Sequence, residues 1–106
     1  MSGDPTYLKL LDEMREMHIA KSAGYGKDID PWANFRLAVG FGVSPFIGCL
    51  VRMGDKFTRV QNLSTDPSRD KVGEGIQDTL MDLASYALIA ICLWREAKNA
   101  EQPVRL

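Results

Sequence analysis

Residues 74–98 read EGIQDTLMDLASYALIAICLWREAK, and the reading of this stretch decides the fold. Apolar residues recur at helical spacing through its first half, and from Leu83 to Trp94 the chain is apolar almost all round. No period-two alternation competes with that pattern, so the stretch is a long helix that is buried on more than one side. The apolar run from Leu83 to Trp94 is shorter than the ~20 residues a bilayer crossing needs, which predicts a core helix and no membrane. Asp70 stands where a cap would open this helix, and Lys98 marks its end.

Working back from it, Ser64-Thr65-Asp66-Pro67-Ser68 is a turn, and Ser44-Pro45 gives the cap-then-proline start of another helix. On that helix Phe46, Leu50, Met53, Phe57 and Val60 form an apolar stripe, with Arg52, Asp55, Lys56 and Arg59 on the opposite side. Pro31-Trp32 opens a short helix over Ala33 to Val39, stopped at Gly40-Phe41-Gly42. Asp4-Pro5 opens the first helix, in which Leu8, Leu11, Met14, Met17 and His18 recur at helical spacing up to Gly24-Tyr25-Gly26. The expectation is an all-α fold, a small helical bundle of about four helices with the second one short. It comprises one domain over residues 1–98 and a frayed polar tail over 99–106. So small a bundle leaves apolar surface over, which predicts completion by homo-oligomerisation.

Composition bounds the function. With 106 residues, 45% hydrophobic and 25% charged, the chain is an ordinary globular length and balance. Thirteen basic residues against fourteen acidic ones give a net charge of −1, no field for gripping a duplex backbone. Cys49 and Cys92 lie inside apolar helical runs, with neither disulfide nor metal-ligand spacing, and are read as reduced core residues. The N-terminal residues show no basic stretch followed by an apolar one, and a cytoplasmic location is expected.

Glu74, Asp78 and Asp82 stand four residues apart, on one stripe of the last helix. Like charges at that spacing repel, so a positive group should lie against them. One candidate is Mg²⁺, which takes one or two carboxylates together with waters and substrate phosphates. The other is the basic face formed by Arg52, Lys56 and Arg59, which would make structural ion pairs. Asp55, set among those basic residues, would complete a metal site across the groove. Glu13 and Glu16 share a ligand-like spacing, but Asp12, Arg15 and Lys21 around them make a solvated face. His18 has no second histidine to work with and is read as a packing or surface residue. A second cluster is Tyr25 and Lys27 in the glycine-rich loop with Asn34 and Arg36 on the short helix. Its ring suits stacking on a base, its amide suits reading a base edge or sugar, and its cations suit phosphate. The plainer alternative has Tyr25 and Trp32 covering the core and Arg36 solvated.

The strings Ala23-Gly24-Tyr25-Gly26-Lys27-Asp28, Asn34-Phe35-Arg36, Arg52-Met53-Gly54-Asp55-Lys56 and Glu74-Gly75-Ile76-Gln77-Asp78-Thr79-Leu80-Met81-Asp82 resemble phage-type nucleotide-modification-associated domains. These in turn are similar to the MazG-like and dimeric dUTPase group of all-α nucleoside triphosphate pyrophosphatases. The resemblance spans about residues 20 to 95. It implies a homodimer or homotetramer in a host cytoplasm that cuts a nucleoside or deoxynucleoside triphosphate to monophosphate and pyrophosphate with Mg²⁺, or Mn²⁺ in its place. Glu74 and Asp78 match the acidic pair of the family's second metal helix, and Asp55 falls on the preceding one. Better-known members carry two acidic residues three apart there, whereas Arg52 and Thr58 flank Asp55 at that spacing. Under this reading the metal ligands are Asp55, Glu74 and Asp78. Lys56 and Asp82 act in catalysis, and Tyr25, Lys27, Asn34, Arg36, Arg52 and Arg59 bind substrate. The competing expectation is a non-catalytic nucleotide-binding or protein-interaction module that uses the acidic helix face.

Overall fold

The computed structural model describes residues 2–25, 30–70 and 75–101. Among these it contains four α-helices, two short 3-10 segments and no strand. The chain divides into two compact units, residues 1–33 and 34–106.

The first unit is built on α1, Pro5–Tyr25. Asp4 caps it, its carboxylate accepting the Tyr7 amide at 2.9 Å, as the Asp-Pro signal predicts. Trp32 stacks on His18 of this helix, with ring centroids 6.0 Å apart. The only histidine is therefore a stacking partner.

The second unit begins with the end of α2, Ala33–Arg36, which tightens into a 3-10 segment over Leu37–Phe41. Gly42 ends it in the left-handed region at φ 82°, donating its amide back to Ala38 and Val39. Helix α3, Pro45–Thr65, starts where the Ser44-Pro45 signal puts it, and the Ser44 hydroxyl accepts the Ile47 amide at 3.2 Å. A short 3-10 segment, Pro67–Arg69, follows, and α4 runs over Ile76–Glu101. Asp70 is not the cap of α4. It closes the preceding 3-10 segment, and the carbonyl that accepts the first helical bond of α4, from Thr79, is that of Gly75. The helix also continues three residues beyond Lys98.

Helices α3 and α4 form an antiparallel hairpin. Its seam runs from Cys49 against Tyr86, through Lys56 against Asp82, to Arg59 against Thr79, and Phe46 packs on Trp94 beside the Cys49 end. Leu63, Thr79, Ala90 and Leu93 are buried, and Cys49 is fully so. The start of the unit packs on α3 and α4 near the Cys49 end. Phe35 meets Tyr86 edge-on at 6.0 Å and lies under the Arg52 guanidinium at 5.6 Å, while Arg36 forms a two-pronged ion pair with Glu96 at 3.0 and 3.1 Å. Gly48 permits this approach, because a Cβ there would stand 2.9 Å from that of Ala38.

Three sequence expectations change. The stripe Phe46, Leu50, Met53, Phe57 and Val60 meets α4 only in part: Phe46 packs on Trp94, but Leu50 is 40% exposed and Phe57 55%. The seam instead uses Cys49, Lys56, Arg59 and Leu63, because the aliphatic stems of Lys and Arg line it while their heads reach partners on α4. Cys92 is exposed while Cys49 is buried, so only one of the two is a core residue. Finally, α4 is by length and composition apolar enough to cross a bilayer and only 17% of its apolar window is buried, while Asp82 and Glu96 on it pair with cations of the same fold.

Candidate functional site

Helical geometry gives the α3–α4 hairpin two unlike sides. With 100° per residue and the seam fixed by Cys49, Lys56 and Arg59 on α3 and by Thr79, Asp82 and Tyr86 on α4, Asp55 and Asp78 each stand about a quarter turn off the seam. Because the helices are antiparallel, the two carboxylates fall on the same side of it. Thr58 and Asn62 share that side. Leu50, Phe57, Leu80, Ile91 and Trp94, all well exposed, fall on the other.

On the polar side the contacts are specific. Lys56 Nζ donates to Asp82 Oδ2 at 3.0 Å, both side chains about a third exposed or less. Arg59 spans the seam, its Nε donating to Thr79 Oγ1 at 3.3 Å and its Nη2 lying 3.4 Å from Asp70 Oδ1. Thr79 is buried and passes its own hydroxyl proton to the Gly75 carbonyl at 3.1 Å. This places a guanidinium over the first turn of α4, where Asp78 also stands, exposed. A cavity of about 270 Å³ opens beside it, lined by Asp55, Thr58, Arg59, Asn62, Leu63 and Arg69.

The structure thus joins Lys56 to Asp82 across the seam and sets Asp55 and Arg59 on one cavity, while Asp78 is exposed on the first turn of α4. Arg52 and Arg36 lie toward the hairpin's other end, on Phe35 and Glu96 respectively, where they hold α2 in place. Asn34 is exposed on α2. Lys27, Glu74 and the side chain of Tyr25 lie outside the described residues. Sequence reasoning passed over Thr79, Asn62 and Arg69. Asn62 stands three residues after Arg59, one helical turn along the same face, which was a legible signal. Arg69 depends on the turn after α3, where Asp66 accepts the Ser68 amide at 3.2 Å.

Among the described residues no three His, Cys, Asp or Glu side chains converge as a metal site.

Residues 42–93 match the family model for nucleotide modification associated domain 1. The nucleotide-modification match covers just under half of the chain, from the turn before α3 to Leu93 in α4. Asp55, Lys56, Arg59, Asp78, Asp82 and the whole cavity lining lie within it, whereas Tyr25, Lys27, Asn34 and Arg36 lie before it. Neither the curated proteins nor the solved structures contain a match to this chain.

Proposed function

We propose that the protein is a Mg²⁺-dependent nucleoside triphosphate pyrophosphohydrolase that controls a nucleotide pool or serves modified-nucleotide metabolism. What supports this reading is that Asp55 and Arg59 line one cavity of the α3–α4 hairpin, with the Lys56–Asp82 pair on the adjoining seam, inside the segment that matches a nucleotide-modification family. Nucleoside or deoxynucleoside triphosphates are the substrates, with a MazG-like reaction that yields a monophosphate and pyrophosphate. The protein acts as a homodimer or homotetramer in the cytoplasm of a phage-infected host. Its uncovered apolar side, Leu50, Phe57, Leu80, Ile91 and Trp94, is the surface a second copy would bury.

Asp55 and Asp78 would hold Mg²⁺, with Glu74 as the further carboxylate the sequence supplies. The bound metal would neutralise phosphate charge and help to orient an attacking water. Arg59, braced by Thr79 and Asp70, presents a fixed cation to the phosphates. Asp82 accepts the proton of the attacking water, and Lys56 holds its carboxylate in position. Pyrophosphate release from each common ribo- and deoxyribonucleoside triphosphate, with Mg²⁺ or Mn²⁺, tests the reading. Metal-dependent release by the native chain and its loss in Asp78→Ala is the expected result.

One observation favours a second reading. The Asp82 carboxylate already has Lys56 as a close partner, as it would in a non-catalytic nucleotide-binding or protein-interaction module. Nucleotide binding without any pyrophosphate release, unchanged by metal, would decide for that module.

A further inference from the structure

We infer that the cavity between the C-terminal third of α3 and the Pro67–Arg69 turn is an adenine pocket, in which the Asn62 amide pairs with the amino group and ring nitrogen on one edge of the base and the Arg69 guanidinium stacks on its flat face. The inference rests on the nucleotide reading and deepens it, by naming the base and the subsite that selects it.

Charge decides against a phosphate in this cavity. Both arginines of its lining already face carboxylates, Arg59 Nη2 lying 3.4 Å from Asp70 Oδ1 and Arg69 Nε 3.6 Å from Asp66 Oδ2, and Arg59 also donates to Thr79. With Asp55 added, the cavity has no positive excess. It favours a neutral group that carries both donors and acceptors on an apolar body, and of the parts of a nucleotide the base is that group. Leu63, only 2% exposed, supplies the apolar surface for a ring to cover.

The unused hydrogen-bonding capacity selects the base. Asn62 Oδ1 accepts from Arg69 Nη1 at 3.4 Å, a long bond that leaves a lone pair open, and among the described residues nothing takes up the Asn62 Nδ2 hydrogens. An acceptor beside a donor matches adenine, whose amino group donates and whose N7 accepts. Guanine presents two acceptors on the same edge and would set one of them against Oδ1. Arg69 contributes differently. Its contacts with Asp66 and Asn62 use Nε and Nη1, both in the guanidinium plane, so the faces of that plane are open to a ring.

Size and position agree with this. About 270 Å³ falls just under the ~300 Å³ at which pockets begin to enclose a whole drug-sized ligand, so the cavity takes one ring system and leaves the rest of a nucleotide outside. Asn62 follows Asp55 by two helical turns, about 10 Å along α3, with Arg59 between them. A nucleotide laid along this face has its base at Asn62 and its phosphates toward Asp55, where the metal is proposed.

Calorimetric titration with AMP, GMP, CMP and deaza-AMP, in which carbon replaces N7, tests the pocket on the native chain, Asn62→Ala and Arg69→Lys. Both side chains are exposed, so thermal unfolding should be nearly unchanged in the variants. The expected result is AMP bound about tenfold or more tighter than GMP and CMP, with most of that margin lost in deaza-AMP and all of it in Asn62→Ala. Arg69→Lys, which keeps the charge and loses the flat face, should weaken AMP about threefold or more. An AMP affinity no better than that of GMP, or unaltered in Asn62→Ala, or no binding of any of the four nucleotides, would overturn it. The two readings fail separately. Asn62-dependent, adenine-selective binding without pyrophosphate release from triphosphates keeps the pocket and removes the hydrolase. Pyrophosphate release with the same KM for every base, in the native chain and in Asn62→Ala alike, keeps the hydrolase and removes the pocket.

Discussion

Lys56 Nζ lies 3.0 Å from Asp82 Oδ2 across the α3–α4 seam, and both side chains are about a third exposed or less. An ion pair so placed sits between two regimes, a surface pair worth little and a buried pair whose loss of one partner strands a charge. Asp82→Asn and Lys56→Met should each lower unfolding free energy by about 1–2 kcal/mol. The double variant Lys56→Met with Asp82→Asn should cost less than the sum, because it leaves no charge behind. Urea unfolding of the four proteins of this cycle measures the coupling, and strict additivity would mean that the pair carries no interaction energy.

Gly48 meets Ala38 where the start of the second unit crosses α3. A Cβ at position 48 would stand 2.9 Å from that of Ala38 and 3.5 Å from the Phe35 carbonyl oxygen, and neither is the end of a flexible side chain. Alanine is the better helix former by about 1 kcal/mol, so Gly48→Ala would stabilise α3 in isolation. Here the clash should win, with a net loss of about 1–2 kcal/mol. Adding Ala38→Gly to Gly48→Ala should recover part of it, and thermal unfolding of the single and double variants reads this directly.

Local signals were legible in the sequence. Asp4-Pro5 and Ser44-Pro45 each carry a cap and a preset φ in two residues, and both helices start there. The start of α4 was not legible from Asp70, because Gly75 supplies the first accepting carbonyl and the chain between them adds its own residues. The side of α3 that meets α4 was hidden for a different reason. An apolar stripe says that a face will be buried, but not by what. Lys56 and Arg59 can line a seam with their stems while their heads find Asp82 and Thr79. Asp55 and Arg59, both singled out in the sequence, line one groove. Arg69 joins that groove only through the turn after α3, a long-range consequence that spacing along one helix does not show.

Cys49 is buried and donates its thiol proton to the Tyr86 carbonyl at 3.3 Å, while Cys92 is exposed. Burial raises the Cys49 pKa above its ordinary value of 9.0, and the nearby Arg52 charge lowers it by less. A thiol reagent at neutral pH should therefore label one cysteine quickly, abolished by Cys92→Ser, and the second only at the rate of unfolding. The sign of the pH effect follows. Above about pH 9 the unfolded chain releases the Cys49 proton while the folded chain keeps it, so stability is intact below that pH and falls as pH rises toward the folded value. Cys49→Ala should remove this alkaline component from a pH series of unfolding midpoints.

Phe57 and Ile91 stand on the apolar side of the hairpin, 55% and 48% exposed, with Leu50, Leu80 and Trp94 around them. The polar side carries Asp55, Arg59 and Asp78, so an oligomer that buries the apolar side leaves the proposed nucleotide groove open. Phe57→Glu would put a charge into that contact on both copies of a symmetric pair, where a desolvated carboxylate without a partner costs several kcal/mol. Light scattering coupled to size exclusion should show the native chain as a dimer or tetramer and Phe57→Glu as a smaller species. Asp55→Asn, on the other side, should leave the mass unchanged. A native chain that elutes as a monomer across the micromolar range would show that this apolar side is not covered by a second copy.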